Sequence, residues 1–475
     1  FRYTDWIQNI SAKADLDTTD FSLIEKLRTD FPRTDMLHNR VAQRAMAQLL
    51  DSAALTTRRR PAAGKSNHSL PRLLVLDMTA TGNGTATGEI KANLLRGWPD
   101  EAFLQIVKDG KNGVATLTRS GDNYSRTPIS PGAARAVIEG FKPEVILYRP
   151  LPDTGALHRF AMDEIDRLEL PLVTWIMDDW PERMRSTDPA EWQAMEKDLL
   201  SLLDRSVSRL SICEKMSDAY SRRYGLPFRP LANGIDPADW ALRPRPARDS
   251  FVLRYAGGIA QDMNRDSLLR CAQSVEMLAA SGVPIRFEIS TQPWWKKECD
   301  ALFAPFPATT LEVANRSPEE YRRWISEADL LLIAYNFDPQ SIHYVRYSMA
   351  NKMPECLASG VPVLAYGPTD IATIEYLASG GIAHAVTELD REKLTEAIRC
   401  LFGDKAMRET LASAARERAC VQHNIHRLRR ALTEVLTVSA RANPKIGTSL
   451  GSAVNVERDT IEADSAVVSL TPLRQ

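Results

Sequence analysis

Short apolar runs that alternate with segments of helical length constrain this chain more than any other feature. From residue 72 the order is LLVLDM, a glycine-rich loop and the helix GEIKANLLRG, then FLQIV. The helix AARAVIEGF precedes VILYRP, and ALHRFAMDEIDRLE precedes LVTWIM. The helices around AEWQAMEKDLLSLLDR and EKMSDAYSRRYG lead to VSRLSI and FRPLA. Strands that alternate with helices fold as a parallel, doubly wound sheet with helices on both faces. The pattern breaks at residues 233–249, NGIDPADWALRPRPARD, which are irregular and Pro-rich. It restarts with FVLRYAGG and runs through PIRFEIS, TLEV, DLLLIAY and VPVLAY. The expected fold class is therefore α/β, with two Rossmann-like domains.

The domain boundaries follow from the same pass. Residues 1–55 carry apolar residues at three- and four-residue spacing and read as a helical extension. Residues 56–71, TTRRRPAAGKSNHSLP, read as a polar linker. The first α/β domain is expected at 72–232, the crossing at 233–249 and the second domain at 250–440, with two helices after Asp390. Residues 441–475 are poor in aromatics and rich in Ser, Thr and Val, and read as a disordered tail. The chain holds 60 Lys and Arg against 61 Asp and Glu. That balance gives no reason to expect nucleic acid as a partner. Six scattered cysteines without a C-x-x-C pair fit reduced thiols rather than a zinc site or disulfide frame. No apolar run reaches the ~20 residues of a spanning helix, and no signal-peptide pattern opens the chain. The expected location is the cytoplasm, with peripheral contact to the inner membrane face left open.

The stretch 348–368, SMANKMPECLASGVPVLAYGP, reads as a short helix and a buried strand. Asn351 is a good N-cap, Pro354 suits the first turn and Gly360 suits the left-handed position after the last turn. Lys352 adds a positive charge at the helix start, and Glu355, one turn in, can accept hydrogen bonds from a sugar diol. A phosphate site and a diol acceptor on one helix suggest a nucleotide-sugar pocket; an ordinary capped helix has the same local signature.

Other candidates stand at strand ends, where open parallel sheets bind ligands. Asp178-Asp179 directly follows LVTWIM; one is expected to face the cleft as a base or a holder of an acceptor hydroxyl, the other to cap a turn. Gly257-Gly258 follows FVLRYA, and Asn264 and Arg265 come at the next helix start; together these can cradle a diphosphate. Asp338, His343 and Arg346 lie in YNFDPQSIHYVRYS, read as a long loop. Trp294-Trp295 can stack on a base or sugar, or simply pack. The loop Gly82, Gly84, Gly88 misses the dinucleotide fingerprint by one residue, and Lys108 rather than an acid follows FLQIV, which argues against NAD.

In this order the pieces resemble the GT-B glycosyltransferases, in particular the group 1 retaining, nucleotide-sugar-dependent enzymes, over about residues 72–440. LANGIDPADW, YAGGIAQDMNRDSLL and the stretch 348–368 carry the likeness. The resemblance implies two domains facing a deep cleft, with the nucleotide-sugar on the second and the acceptor on the first. It implies that Glu355 holds the donor ribose and that Ser348, Asn351 and Lys352 meet the pyrophosphate. Arg265 falls near the family's phosphate-binding lysine, and Gly84 matches the loop that reaches the donor phosphate. Two departures stand out. Tyr347 occupies the place of a second glutamate, and Gly258 that of an arginine; Arg346 or Lys352 can compensate.

The expected activity is glycosyl transfer from a UDP- or GDP-sugar to a glycan, lipid-linked or protein acceptor, with retention and with no metal or other cofactor. If the reaction inverts, Asp178 or Asp179 becomes the base. A nucleotide-sugar 2-epimerase of the same fold is the second reading, and a non-catalytic scaffold with a helical binding module is the third.

Overall fold

In the computed structural model the described residues are 70–110, 113–150, 155–244, 246–313 and 315–442. The expected helical extension, most of the linker and nearly all of the tail lie outside them. Two sheets organise the rest.

The first sheet has eight strands. Their chain order is β1 (Leu73–Leu76), β2 (Phe103–Asp109), β3 (Gly113–Ser120), β4 (Asn123–Ile129), β5 (Val145–Tyr148), β6 (Leu172–Ile176), β7 (Ser206–Ser211) and β8 (Arg229–Pro230). Their spatial order is β4-β3-β2-β1-β5-β6-β7-β8. The helices are α1 (Ala86–Leu95), α2 (Pro131–Phe141), α3 (Ala156–Leu168), α4 (Trp180–Thr187), α5 (Pro189–Arg205) and α6 (Glu214–Tyr224). The sheet departs from the parallel expectation at one edge. β3 pairs antiparallel with β2 and with β4, as a hairpin that turns at Gly121 with φ +62°. Residues 113–129 mix apolar and polar positions on a half-exposed edge, so the hairpin lacks the continuous apolar run of a buried parallel strand.

The second sheet has β9 (Phe251–Ala256), β10 (Ile285–Thr291), β11 (Thr309–Val313), β12 (Leu330–Ala334), β13 (Val363–Tyr366) and β14 (His384–Val386). All pairs are parallel, in the order β11-β10-β9-β12-β13-β14. Its helices are α7 (Arg265–Ala280), α8 (Pro293–Phe303), α9 (Pro318–Ser326), α10 (Pro339–Val345), α11 (Met353–Ala358), α12 (Ala372–Ser379), α13 (Arg391–Gly403), α14 (Lys405–Gln422) and α15 (Ile425–Ser439). Among the described residues three helices therefore follow Asp390, not two. The last leaves the domain with which sequence order groups it. α15 packs on α1, and Arg429 donates to the Asn93 carbonyl through both Nε and Nη2.

Each sheet has one point where the strand order reverses: between β1 and β5 in the first, and between β9 and β12 in the second. Crevices at the carboxyl ends of such strands are where this topology holds ligands. Beside the cleft the domains share one apolar core, in which Trp180, Met216 and Tyr220 of the first join Val345, Met349 and Met353 of the second. That continuity joins the two domains beside the cleft.

Candidate functional site

At the first switch point the chain fills the crevice with its own charges. Asp77 follows β1, Arg149 follows β5 and Lys91 reaches in from α1, with exposures of only 1%, 6% and 1%. Lys91 Nζ lies 2.5 Å from Asp77 Oδ2, and Arg149 grips both Asp77 oxygens, at 2.8 and 2.7 Å. Burial would raise the Asp77 pKa, but the two cations outweigh it and hold the carboxyl below its usual value. Burial pushes Lys91 down to about 8 against the pull of Asp77. Lys91 also donates to the Thr79 carbonyl, and Arg149 to the Thr79 hydroxyl at 2.8 Å. The cluster thus pins the start of the glycine loop from below. In that loop Gly82 and Gly84 have φ of +70° and +77°, and a Cβ on Gly82 would overlap the Tyr124 ring. Gly84 donates its N–H to Glu89 Oε1 at 3.0 Å. The sequence reading missed this trio. Its signal was a charged residue closing each of two buried strands.

The adjacent carboxylates after β6 separate sharply. Asp178 receives a hydrogen bond from the Ser348 hydroxyl of the second domain at 3.3 Å. Water reaches its side chain, yet protein closes on it from both domains. That desolvation raises its pKa, against the nearby Arg149 charge and the Ser348 bond. Asp179 is wholly buried; Tyr220 donates to its Oδ1 at 2.7 Å and Arg223 at 3.2 Å. It stands at the N-cap position of α4 but makes no side-chain cap bond. The expected turn cap is therefore instead a buried anchor, out of reach of any substrate in this conformation.

At the second switch point the filling is neutral. Asn264, only 3% exposed, ties the glycine turn together: its Nδ2 donates to the Tyr255 hydroxyl at 2.6 Å and to the Gly258 carbonyl at 3.1 Å. Asn336, after β12, accepts the first free N–H groups of α7, from Asp266 and Ser267, at 3.1 and 3.2 Å. The α7 start is thus less open to an anion than the motif suggests. A Cβ on Gly257 would stand 2.7 Å from the Tyr255 hydroxyl, and one on Gly258 3.1 Å from the Trp295 indole nitrogen. Trp295 therefore takes the space beside Gly258 where the resemblance calls for an arginine. Trp294 is 63% exposed. Arg265 is loosely held, 3.6 Å from Glu298 and 4.0 Å from Asp266.

The segment between β12 and β13 differs from its reading in two ways. The supposed loop contains α10, capped by Asp338, whose Oδ1 accepts the Ser341 N–H at 2.8 Å. Asn351 does not cap α11; the cap position is Lys352, without a side-chain cap bond. Asn351 Oδ1 instead accepts from Asn233 of the crossing at 2.8 Å, which joins the NGID segment to the helix start. Gly360 has φ +75°, as a residue past the helix end requires. Lys352 Nζ lies 3.4 Å from Glu355 Oε2 and 4.1 Å from the centre of the Tyr321 ring. Burial, then the Glu355 charge, push the Tyr321 phenol well above its usual value. Arg346 lies over the Tyr347 ring at 5.6 Å and has no carboxylate partner among the described residues. Tyr347 packs edge-on against Tyr220 of the first domain, 6.4 Å between centres. The position expected to carry a glutamate is thus part of the join between domains.

The walls of the cleft therefore bring together Asp178 with Ser348, and Lys352 with Glu355. His343 of α10 and Arg346 just after it lie 3.4 Å apart, while Asp179 and Asn264 are withdrawn into the protein. Among the described residues no helix is long and apolar enough to cross a membrane.

No family model matches the chain, and no curated protein matches it in sequence. Solved structures do match in shape. A sucrose-phosphate synthase from Thermosynechococcus elongatus superposes with a TM-score of 0.56 at 12% identity, over 77% of this chain and 98% of that one. An α,α-trehalose 6-phosphate synthase from Burkholderia multivorans gives 0.56 at 11% identity, over 78% and 97%. An Escherichia coli structure described as trehalose-6-phosphate bound with UDP-2-fluoro glucose gives 0.56 at 10%, over 77% and 99%. The fold is GT-B, two Rossmann-like domains facing a cleft.

Proposed function

We propose that this GT-B chain is a glycosyltransferase that moves a sugar from a UDP- or GDP-sugar to a hydroxyl acceptor, a glycan, a lipid-linked glycan or a protein. One observation carries the reading. Ser348, in the loop that leads into the Lys352–Glu355 helix, donates directly to Asp178 of the opposite domain. Residues suited to a donor and to an acceptor thus meet in one cleft. The Escherichia coli neighbour, bound with UDP-2-fluoro glucose, supports a nucleotide-sugar as ligand of such a cleft.

In this reading Glu355 accepts both hydroxyls of the donor ribose. Arg346, Lys352 and Arg265 lie around the diphosphate, and fixed cations there stabilise the charge that develops as the glycosidic bond breaks. Ser348 and Asn351 complete the polar surface beside the phosphates, and Gly84, Gly257 and Gly258 let the backbone approach closely. Asp178 holds the acceptor hydroxyl. Under retention the acceptor attacks on the face of the departing diphosphate, whose oxygen takes the proton, and the protein supplies no nucleophile.

The test is turnover of UDP- and GDP-sugars with a panel of glycan acceptors, read by nucleoside diphosphate release and by NMR of the new anomeric centre. Transfer with retained configuration is expected. An epimerised nucleotide-sugar formed without any acceptor would contradict transfer.

A further inference from the structure

A line of charges runs from the buried core of the first domain across the interface to Arg346. Asp179 anchors it, held by Tyr220. Arg223 Nη1 lies 3.2 Å from Asp179 Oδ1, and its Nη2 lies 3.6 Å from Glu182 Oε2. Burial works against the Arg223 charge, but Asp179 and the neighbouring phenols outweigh it and lift its pKa above the usual arginine value. Glu182 Oε1 then lies 3.1 Å from His343 Nε2 on the second domain. Finally His343 Nδ1 lies 3.4 Å from Arg346 Nη2.

The chemistry of the end groups dictates the state of the imidazole between them. A guanidinium has only donors, so Nδ1 must accept from Arg346. The ring proton then belongs on Nε2, which faces the Glu182 carboxylate. That nitrogen is sealed from water and has no hydrogen-bond geometry to any partner in this conformation. A second route leads to the same arginine, because its guanidinium rests on Tyr347 and Tyr347 rests on Tyr220. Arg346 is thus braced twice from the first domain, yet carries no carboxylate of its own among the described residues. A cation held in place but left without a counter-charge suits an incoming anion.

We infer that Glu182 and His343 are positioning residues that couple the approach of the two domains to the seating of Arg346 against the donor's diphosphate. The inference rests on the nucleotide-sugar reading above. It differs from that reading in its residues: neither Glu182 nor His343 touches the donor, and both act through Arg346.

Calorimetric titration of the full chain tests it, with UDP and GDP compared with uridine and guanosine. Glu182→Gln and His343→Gln are each expected to weaken the preferred diphosphate by about fivefold to tenfold, the worth of a charge-assisted contact left misaligned. Affinity for the matching nucleoside should not change. Arg346→Met should produce the same loss, and Glu182→Gln added to it should produce no more, since coupled residues do not add. Unchanged diphosphate affinity in His343→Gln, whose side chain is partly exposed and whose loss the fold can bear, would overturn the inference. So would equal weakening of nucleoside and diphosphate, or full additivity with Arg346→Met. If the wild type binds neither UDP nor GDP, the donor reading falls first and takes this one with it.

Discussion

The two switch points share a topology and differ in what fills them. Between β1 and β5 lie three buried charges, Asp77, Lys91 and Arg149, in contacts of 2.5–2.8 Å. Between β9 and β12 lie glycines and the amides of Asn264 and Asn336, with the nearest candidate cation, Arg265, 3.6 Å or more from its acidic neighbours. The first crevice is closed by its own salt bridges and supports a glycine loop. The second, with the α10–α11 segment beside it, keeps its cations loosely held. A buried pair with perfect geometry has little left to offer a ligand, whereas a cation at 3.4–4.0 Å from a part-exposed acid can exchange partners at small cost. One wall of the cleft is therefore preassembled and the other is receptive.

The sharpest way to break this contrast is Asp77→Asn. It strands two buried cations and should cost about 3–5 kcal/mol of stability, measured by denaturant unfolding. Because the folded Asp77 pKa lies below its usual 3.8, its contribution is present above that value and is lost as pH falls through the depressed folded value. The variant should lose that part of the wild-type acid transition. Glu355→Ala acts on the receptive wall and should do the opposite. Turnover should fall about 100-fold, through two lost charge-assisted hydrogen bonds, with the melting temperature unmoved. Wild-type turnover would reject that placement of the donor.

Asp178→Asn divides the two properties within one residue. Its carboxyl has a raised folded pKa, so at neutral pH the native state carries a charge that the unfolded chain solvates better. Asn removes that burden and still accepts the Ser348 bond. The melting temperature should rise while transfer falls by about tenfold or more. A lower melting temperature would show that Asp178 is structural. The smallest effect is expected of Gly360→Ala, a control at the end of α11. With φ +75° it should cost about 1 kcal/mol and leave nucleotide affinity intact.

Much of this was legible in the chain, and what was not has physical causes. The strand–helix alternation led to both sheets because buried parallel strands are continuous apolar runs. The β3–β4 hairpin escaped because its half-exposed position permits polar residues such as Thr118, Ser120 and Ser125. Gly360 was legible as the residue past a helix end, since positive φ nearly demands glycine. Asn351 was misplaced because an asparagine before a proline-bearing turn is locally a good cap. Its real partner, Asn233, stands 118 residues away. The two departures from the family pattern, Tyr347 and Gly258, gain meaning only in three dimensions, where Tyr220 and Trp295 pack against them. The Asp77–Lys91–Arg149 cluster joins residues up to 72 positions apart, and no local motif announces it.

The central claim is that the cleft receives a nucleoside diphosphate on its second wall. The most direct measurement is the melting temperature and calorimetric affinity of the full chain with UDP and with GDP, beside Glu355→Ala. The account predicts that one of the two raises the melting temperature and binds with one-to-one stoichiometry; at about 100 times its Kd it should add about 2.7 kcal/mol of stability. It also predicts that Glu355→Ala removes most of this response. If neither nucleotide shifts the melting temperature at millimolar concentration, or if Glu355→Ala responds as the wild type does, the claim is wrong.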